Sequence, residues 1–154
     1  LAELAGVTSS SRVLDVGSGV GGPSLHLAAT YGCRVTGLDL VAPNVQEANE
    51  RAKARGLDQL AAFETGDALE MPFEDNSFDV VWGQDAWCHM PDKEKLIDEV
   101  TRVLAPGGAV AFTDWIETGE IEGNERSELL SAMAAPNIAK ISGPVKFSVL
   151  FANS

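Results

Sequence analysis

The chain has 154 residues, 45% of them hydrophobic and 22% charged, with 23 acidic against 11 basic residues and a formal net charge of −12. That size and balance describe one globular domain with a sizeable core and exclude a disordered chain. The acidic field repels phosphate backbones and anionic lipid, which argues against nucleic-acid or anionic-membrane binding, and no apolar run approaches the roughly 20 residues of a membrane helix.

Leu1-Ala-Glu-Leu-Ala-Gly6 reads like the end of a helix, so the chain is expected to be cut from something longer, or processed. Val13, Leu14 and Val16 form a short apolar run, and a buried strand is expected over residues 12–16. Gly17, Gly19, Gly21 and Gly22 then crowd the chain into a turn, and Pro23 opens a helix over residues 23–31. Strand, glycine turn and helix in that order aim backbone N–H groups and a helix N-terminus at an anionic or polar ligand. A nucleotide-like cofactor is expected there; the alternative is a glycine-rich loop with no ligand. Gly17-x-Gly19-x-x-Gly22 also fits the dinucleotide fingerprint. Asp15, however, would crowd a pyrophosphate, and it suits the ammonium of a methionine moiety instead. His26 reads as a structural or surface histidine.

Cys33 to Leu38 is the next strand, ending at Asp39, which falls 22 positions after Gly17. That is near the spacing of about 20 between a glycine turn and a ribose-binding carboxylate; the alternative is a capping or surface aspartate. A helix follows from Pro43 to Arg55, with Val45, Ala48 and Ala52 on one face and Gly56 as its stop. Asn44, in its first turn, has a cofactor contact and a capping role as equal alternatives. Leu60 to Thr65 is a third strand, followed by Gly66-Asp67-Ala68-Leu69, where Asp67 alone would be an ordinary turn residue. Met71 to Ser77 is turn-rich, Phe78 to Trp82 is a fourth strand, and Gly83 to Met90 leaves its end. Pro91-Asp92 opens a helix with Leu96, Ile97, Val100, Val103 and Leu104 on one face. Ala105-Pro-Gly-Gly108 is a turn, and Ala109 to Thr113 is a fifth strand ending at Asp114-Trp115. Strands alternating with helices, without hairpins, predict an α/β domain with a doubly wound, mostly parallel sheet.

Residues 1–115 make up this core, and 116–154 read poorly. An acidic linker over 117–123, a helix over 125–135 and a strand over 145–151 are the expectations, within the same domain or as a truncated cap. Cys33 and Cys88 lack CxxC spacing and read as reduced thiols of a cytoplasmic protein. With only His26 and His89, no metal site is expected.

Leu14-Asp-Val-Gly-Ser-Gly19 resembles the first motif of the class I S-adenosylmethionine-dependent methyltransferases. Asp75 to Ala86, followed by His89-Met-Pro-Asp-Lys93, resembles more narrowly the sarcosine/dimethylglycine N-methyltransferases, and less so the phosphoethanolamine and tocopherol methyltransferases. The Trp82-x-Gln84-Asp85-Ala86 run with His89 is the most specific part of this likeness. The resemblance covers about residues 12–115 and implies a Rossmann-like fold, incomplete on its C-terminal side. It implies S-adenosylmethionine as cofactor and S-adenosylhomocysteine as product. Asp15, Gly17, Gly19 and Gly21 would hold the methionine part, Asp39 the ribose, and Asp67 with Ala68 the adenine. Ser18, Leu40, Asn44 and Gln84 complete the implied cofactor set.

Methyl transfer from a sulfonium is an in-line displacement that needs alignment and desolvation more than a nucleophile or metal. No G-x-S-x-G is present, and Cys88 lacks a partnered base, so a catalytic thiol is not expected. Gln84, Asp85 and His89 would border the acceptor, with Asp85 and His89 as the catalytic pair. His89 would take a proton from an ammonium or orient it; the alternative is a hydrogen-bonded histidine at a helix entrance. Trp87 would wall the site, or simply pack. The implied reaction is N-methylation of a small amine such as sarcosine or dimethylglycine, as in betaine synthesis. The rivals are a lipid, prenyl or phosphoethanolamine acceptor, an NAD oxidoreductase, and a non-catalytic cofactor-binding fragment. The expected partner is a small-molecule methyl acceptor, and a homodimer is left open.

Overall fold

A computed structural model describes residues 1–114 and 150–151. Trp115, the expected helix over 125–135 and most of the expected strand over 145–151 lie outside the described residues. The strands are β1 Arg12–Val16, β2 Arg34–Asp39, β3 Ala61–Thr65, β4 Phe78–Gln84, β5 Leu104–Thr113 and β6 Leu150–Phe151. The helices are α1 Gly22–Tyr31, α2 Ala42–Ala54 and α3 Lys93–Val103. The sheet order is β3-β2-β1-β4-β5-β6, with β1 to β5 parallel and β6 antiparallel to β5. Among the described residues, no helix is long and apolar enough to cross a membrane.

Alternation along each strand explains the two layers of helices. Val13, Val35, Val80 and Trp82 turn to one face, against Leu25 and Leu27 of α1 and Val45, Ala48 and Ala52 of α2. Leu14, Val16, Leu38 and Val81 turn to the other, against Leu96, Val100 and Val103 of α3. A strand buried on both faces needs this continuous apolar character, and a period of two distributes it. Each fully buried Leu or Val contributes about 1.5–3 kcal/mol through burial.

The helix ends follow local chemistry. Gly32 closes α1 in a left-handed conformation, its N–H donating to the Ala28 carbonyl at 3.0 Å. Gly56 N–H to Lys53 O and Leu57 N–H to Ala52 O close α2 in the paired pattern of a Schellman motif. Gly6 N–H to Glu3 O and Val7 N–H to Ala2 O repeat that pattern in a single hydrogen-bonded turn ahead of β1. Asp92 caps α3 from outside, accepting the Lys95 N–H at 2.9 Å; the helix therefore begins at Lys93, two residues later than Pro91 suggests. On α2, Asn49 donates to the Phe63 carbonyl at 2.9 Å and accepts the Phe63 N–H at 3.2 Å, satisfying the outer side of edge strand β3.

The expected turn at Ala105–Gly108 is instead absorbed into β5. Phe78 pairs with Leu104 and Val80 with Ala109, so residues 105–108 all stand opposite Asp79. This outsized bulge, with Gly107 at φ 76°, lets β5 start directly from the end of α3. At the same end of the sheet, Arg12 grips Asp79 through Nε at 3.1 Å, a terminal guanidinium nitrogen at 2.7 Å and its backbone N–H at 2.8 Å. The opposite end, where the parallel strands finish, carries the cleft.

Candidate functional site at the strand ends

Leaving a buried strand for a helix within a few residues requires backbone that ordinary residues avoid. After β1, Gly17 and Gly19 take φ of 79° and 52°. A methyl on Gly17 would stand 2.5 Å from Ala86 Cβ, so its absence lets the loop after β4 close over the glycine turn. Around Gly19 nothing lies within 4 Å of that position, and the backbone is open to the cleft.

The cleft has a volume of about 660 Å³. It brings together Asp15, Gly17, Ser18, Gly19, Asp39, Leu40, Asn44, Asp67, Ala68, Gln84, Asp85 and His89, all candidates from the sequence. Gly21 is the exception: it does not line the cleft, and a Cβ there would meet Phe63 Cζ at 2.6 Å. Gly37 leaves the same kind of slot, 2.3 Å from Phe63 Cδ1. The third glycine of the turn therefore serves packing of α1 onto β2 and β3.

Asp15 is 1% exposed and accepts the Ser24 hydroxyl of α1 at 2.5 Å. Burial pushes its carboxyl up to about 6; the Ser24 hydrogen bond pulls it down, and the charge of Asp39 raises it further. A cation beside it would reverse that balance. Asp39, half-buried at the end of β2, accepts from Gly19 N–H at 2.8 Å, Val41 N–H at 2.9 Å and Asn44 Nδ2 at 3.3 Å. One carboxylate thus ties together the glycine turn, the loop after β2 and the first turn of α2. Each of its oxygens can accept more than one bond, so capacity remains for a ligand hydroxyl. Asp67 accepts the Leu69 N–H at 2.8 Å in a local turn and lies exposed in the cleft.

The far wall is made after β4. Trp87 to His89 form a short 3-10 turn held on two sides. The buried Trp87 indole donates to Val16 O at 3.1 Å and stacks on Phe112 with centroids 4.7 Å apart, while Gly83 leaves room beneath it. Trp87 therefore packs and does not wall the cleft. Lys93 Nζ donates to the carbonyls of Trp87, Cys88 and Met90 at 2.5, 3.2 and 2.5 Å. Between these anchors His89 remains exposed and faces the cleft with Gln84 and Asp85.

The other candidates separate from the site. Cys88 is buried, and burial with neighbouring Asp114 pushes its thiol up to about 12, which leaves no thiolate for nucleophilic chemistry. His26 is exposed on α1 with Nδ1 3.5 Å from the Thr30 hydroxyl, outside the cleft. Among the described residues no group of His, Cys, Asp and Glu is arranged to hold a metal ion. Val41, Met90 and Pro91 also line the cleft, and only their place just after strand ends could have signalled it.

The lining fits S-adenosylmethionine. Four aspartates line the cleft, and the described lining residues include no lysine or arginine, which suits a sulfonium and an ammonium and not a pyrophosphate. Ser18 Oγ is buried without a hydrogen-bond partner beside the open backbone of Gly19. Leu40, 71% exposed at the rim, offers an apolar surface for a flat ring to cover.

Residues 14–112 match the family described as a methyltransferase domain. The glycine/sarcosine/dimethylglycine N-methyltransferase of Actinopolyspora halophila is 40% identical over 127 residues, covering 82% of this chain and 22% of that protein. The chloroplastic tocopherol O-methyltransferase of Arabidopsis thaliana is 41% identical over 114 residues, covering 74% of this chain and 33% of that protein. A crystal structure assigned to a sarcosine dimethylglycine methyltransferase of Galdieria sulphuraria superposes with a TM-score of 0.79 at 31% identity, covering 90% of this chain and 52% of that one. The chain thus spans between about a fifth and about half of the length of these three proteins. The matched stretch is the one that builds β1 to β5 and the cleft at their ends, and the chain belongs to the class I S-adenosylmethionine-dependent methyltransferases.

Proposed function

We propose that this chain carries the cofactor-binding and catalytic centre of a methyltransferase acting on a small amine such as sarcosine or dimethylglycine, the chemistry of betaine synthesis. The observation that carries the reading is the charge of the cleft, with four aspartates and no lysine or arginine among its described lining residues. S-adenosylmethionine bound there supplies a methyl on a cationic sulfur, which departs with the electrons of the broken carbon–sulfur bond.

The rest is done by residues of the chain. Asp15 and the backbone N–H groups of the glycine turn hold the methionine end, Asp39 with Asn44 the ribose, and Asp67 with Ala68 and Leu40 the adenine side. Asp85 attracts the acceptor ammonium and Gln84 orients it. His89 takes the ammonium proton, so that the nitrogen lone pair is free to attack the methyl carbon.

Similarity to the tocopherol relative favours a second reading, methylation of a prenylated phenol. Both are tested by offering S-adenosylmethionine with glycine, sarcosine, dimethylglycine, phosphoethanolamine and a prenylated phenol, and weighing the products. Methylated sarcosine or dimethylglycine is the expected result. A phenolic or phosphorylated product overturns the acceptor and keeps the reaction; binding of S-adenosylhomocysteine with no product from any acceptor makes the chain a cofactor-binding piece.

A further inference from the structure

Asp85 is one of two non-glycine residues with positive φ among those described, at 54°. It follows directly on Gln84, whose register partner Thr113 is the last pair of the β4–β5 ladder. The backbone extends that pairing by one more bond, Asp85 N–H to Thr113 O at 2.8 Å, while the left-handed turn breaks the strand alternation and brings Asp85 to the cleft. Left-handed backbone is tolerated by aspartate better than by most residues, yet it persists only where the surroundings hold it. Here Thr113 holds both ends: its carbonyl takes the Asp85 N–H, and its hydroxyl donates to Asp85 Oδ1 at 3.2 Å.

Resting on the reading that Asp85 meets the acceptor, we propose that Thr113 is a positioning residue that fixes the Asp85 carboxylate for the acceptor ammonium. Asp85 is exposed, so water competes for its oxygens and its rotamer has no packing to define it. The Thr113 hydroxyl occupies one oxygen and turns the other toward the acceptor. Half-buried Thr113 is itself fixed by the ladder, so this geometry exists before any acceptor arrives.

The test compares Thr113→Val, Thr113→Ser and Asp85→Asn in the full chain. Valine keeps shape and strand preference without the hydroxyl; serine keeps the hydroxyl. With the amine that wild type methylates, Thr113→Val should raise KM about tenfold with S-adenosylhomocysteine affinity unchanged, and Thr113→Ser should restore it. Asp85→Asn should raise KM at least as much, and adding Thr113→Val to it should cost nothing further. Scalar couplings of Asp85 in the S-adenosylhomocysteine-bound chain should report one side-chain rotamer in wild type and Thr113→Ser, and averaging in Thr113→Val. Unchanged KM and couplings in Thr113→Val, with a damaged Asp85→Asn, overturn the proposal and leave the function reading standing. An undamaged Asp85→Asn, or no methylated amine from wild type, removes the function reading and the proposal with it.

Discussion

Asp39 Oδ2 accepts the backbone N–H of Gly19 at 2.8 Å, so the carboxylate that ends β2 sets the path of the glycine turn that follows β1. Its other oxygen holds Val41 N–H and Asn44 Nδ2. Removing the side chain leaves these donors to water and loosens two walls of the cleft together. Asp39→Ala is expected to weaken S-adenosylhomocysteine binding by about 1.5–3 kcal/mol, the scale of a lost charged hydrogen bond. Titration calorimetry measures it, and unchanged affinity would remove Asp39 from the site.

The positions of the strands and of most of the cleft residues were legible in the sequence because both follow local rules. Val13, Leu14 and Val16 announce a buried strand, and a parallel α/β sheet binds at the ends of such strands. What was not legible depended on contacts across the fold. Gly21 sits within the glycine-rich motif yet serves Phe63, about forty residues downstream, and no local pattern reveals that partner. Trp87 became a packing residue because Gly83 and Val16 offer it a slot and an acceptor. The hold of Thr113 on Asp85 needed the β4–β5 register, and the bulge at 105–108 shifts that register away from a simple count along the chain.

Asp15 makes ligand binding and stability depend on pH in opposite directions. Its folded carboxyl is raised to about 6 by burial, while the unfolded one titrates near the ordinary aspartate value of about 3.9. Between those values the unfolded state loses its proton first, so the free protein loses stability as pH rises through the window. The cost is about 3 kcal/mol once pH exceeds 6. Asp15→Asn is therefore expected to stabilise the ligand-free chain at pH 7 and to flatten this dependence in denaturant titrations. The same change should abolish the fall in S-adenosylhomocysteine affinity that wild type shows below pH 6, where the ionised carboxylate is depleted. A wild-type affinity that is flat from pH 5 to 7 would contradict this.

Gly83→Ala places a methyl 2.2 Å from Trp87 Nε1. The indole must move, giving up its bond to Val16 O and its stack on Phe112, and an expected loss of about 2–4 kcal/mol follows from overpacking plus an unmade hydrogen bond. Denaturant unfolding gives the magnitude, and a red shift of tryptophan emission would report the displaced ring. Trp87→Phe, which spares the space but not the N–H, should cost about 1–2 kcal/mol.

Both thiols should be silent in the native chain. Burial raises Cys33, and burial with Asp114 takes Cys88 up to about 12. Alkylation at pH 8 is expected to leave both unmodified by mass, and denaturant should expose both to reaction. Rapid native modification of Cys88 would show that the turn after β4 opens.

Phe63 fills the space that side chains at Gly37 and Gly21 would need, and only Gly21, at φ 79°, is also bound to glycine by its backbone. At position 37 size alone decides. Residues 37 and 63 therefore behave as one volume shared between two neighbouring strands: alanine at 37 calls for a smaller group at 63, and the two substitutions together should be better tolerated than alanine alone. A library randomised at both positions and selected for folding would return them as a correlated pair. Diversity in this protein is thus to be sought in pairs across β2 and β3, where a one-site scan would report only damage.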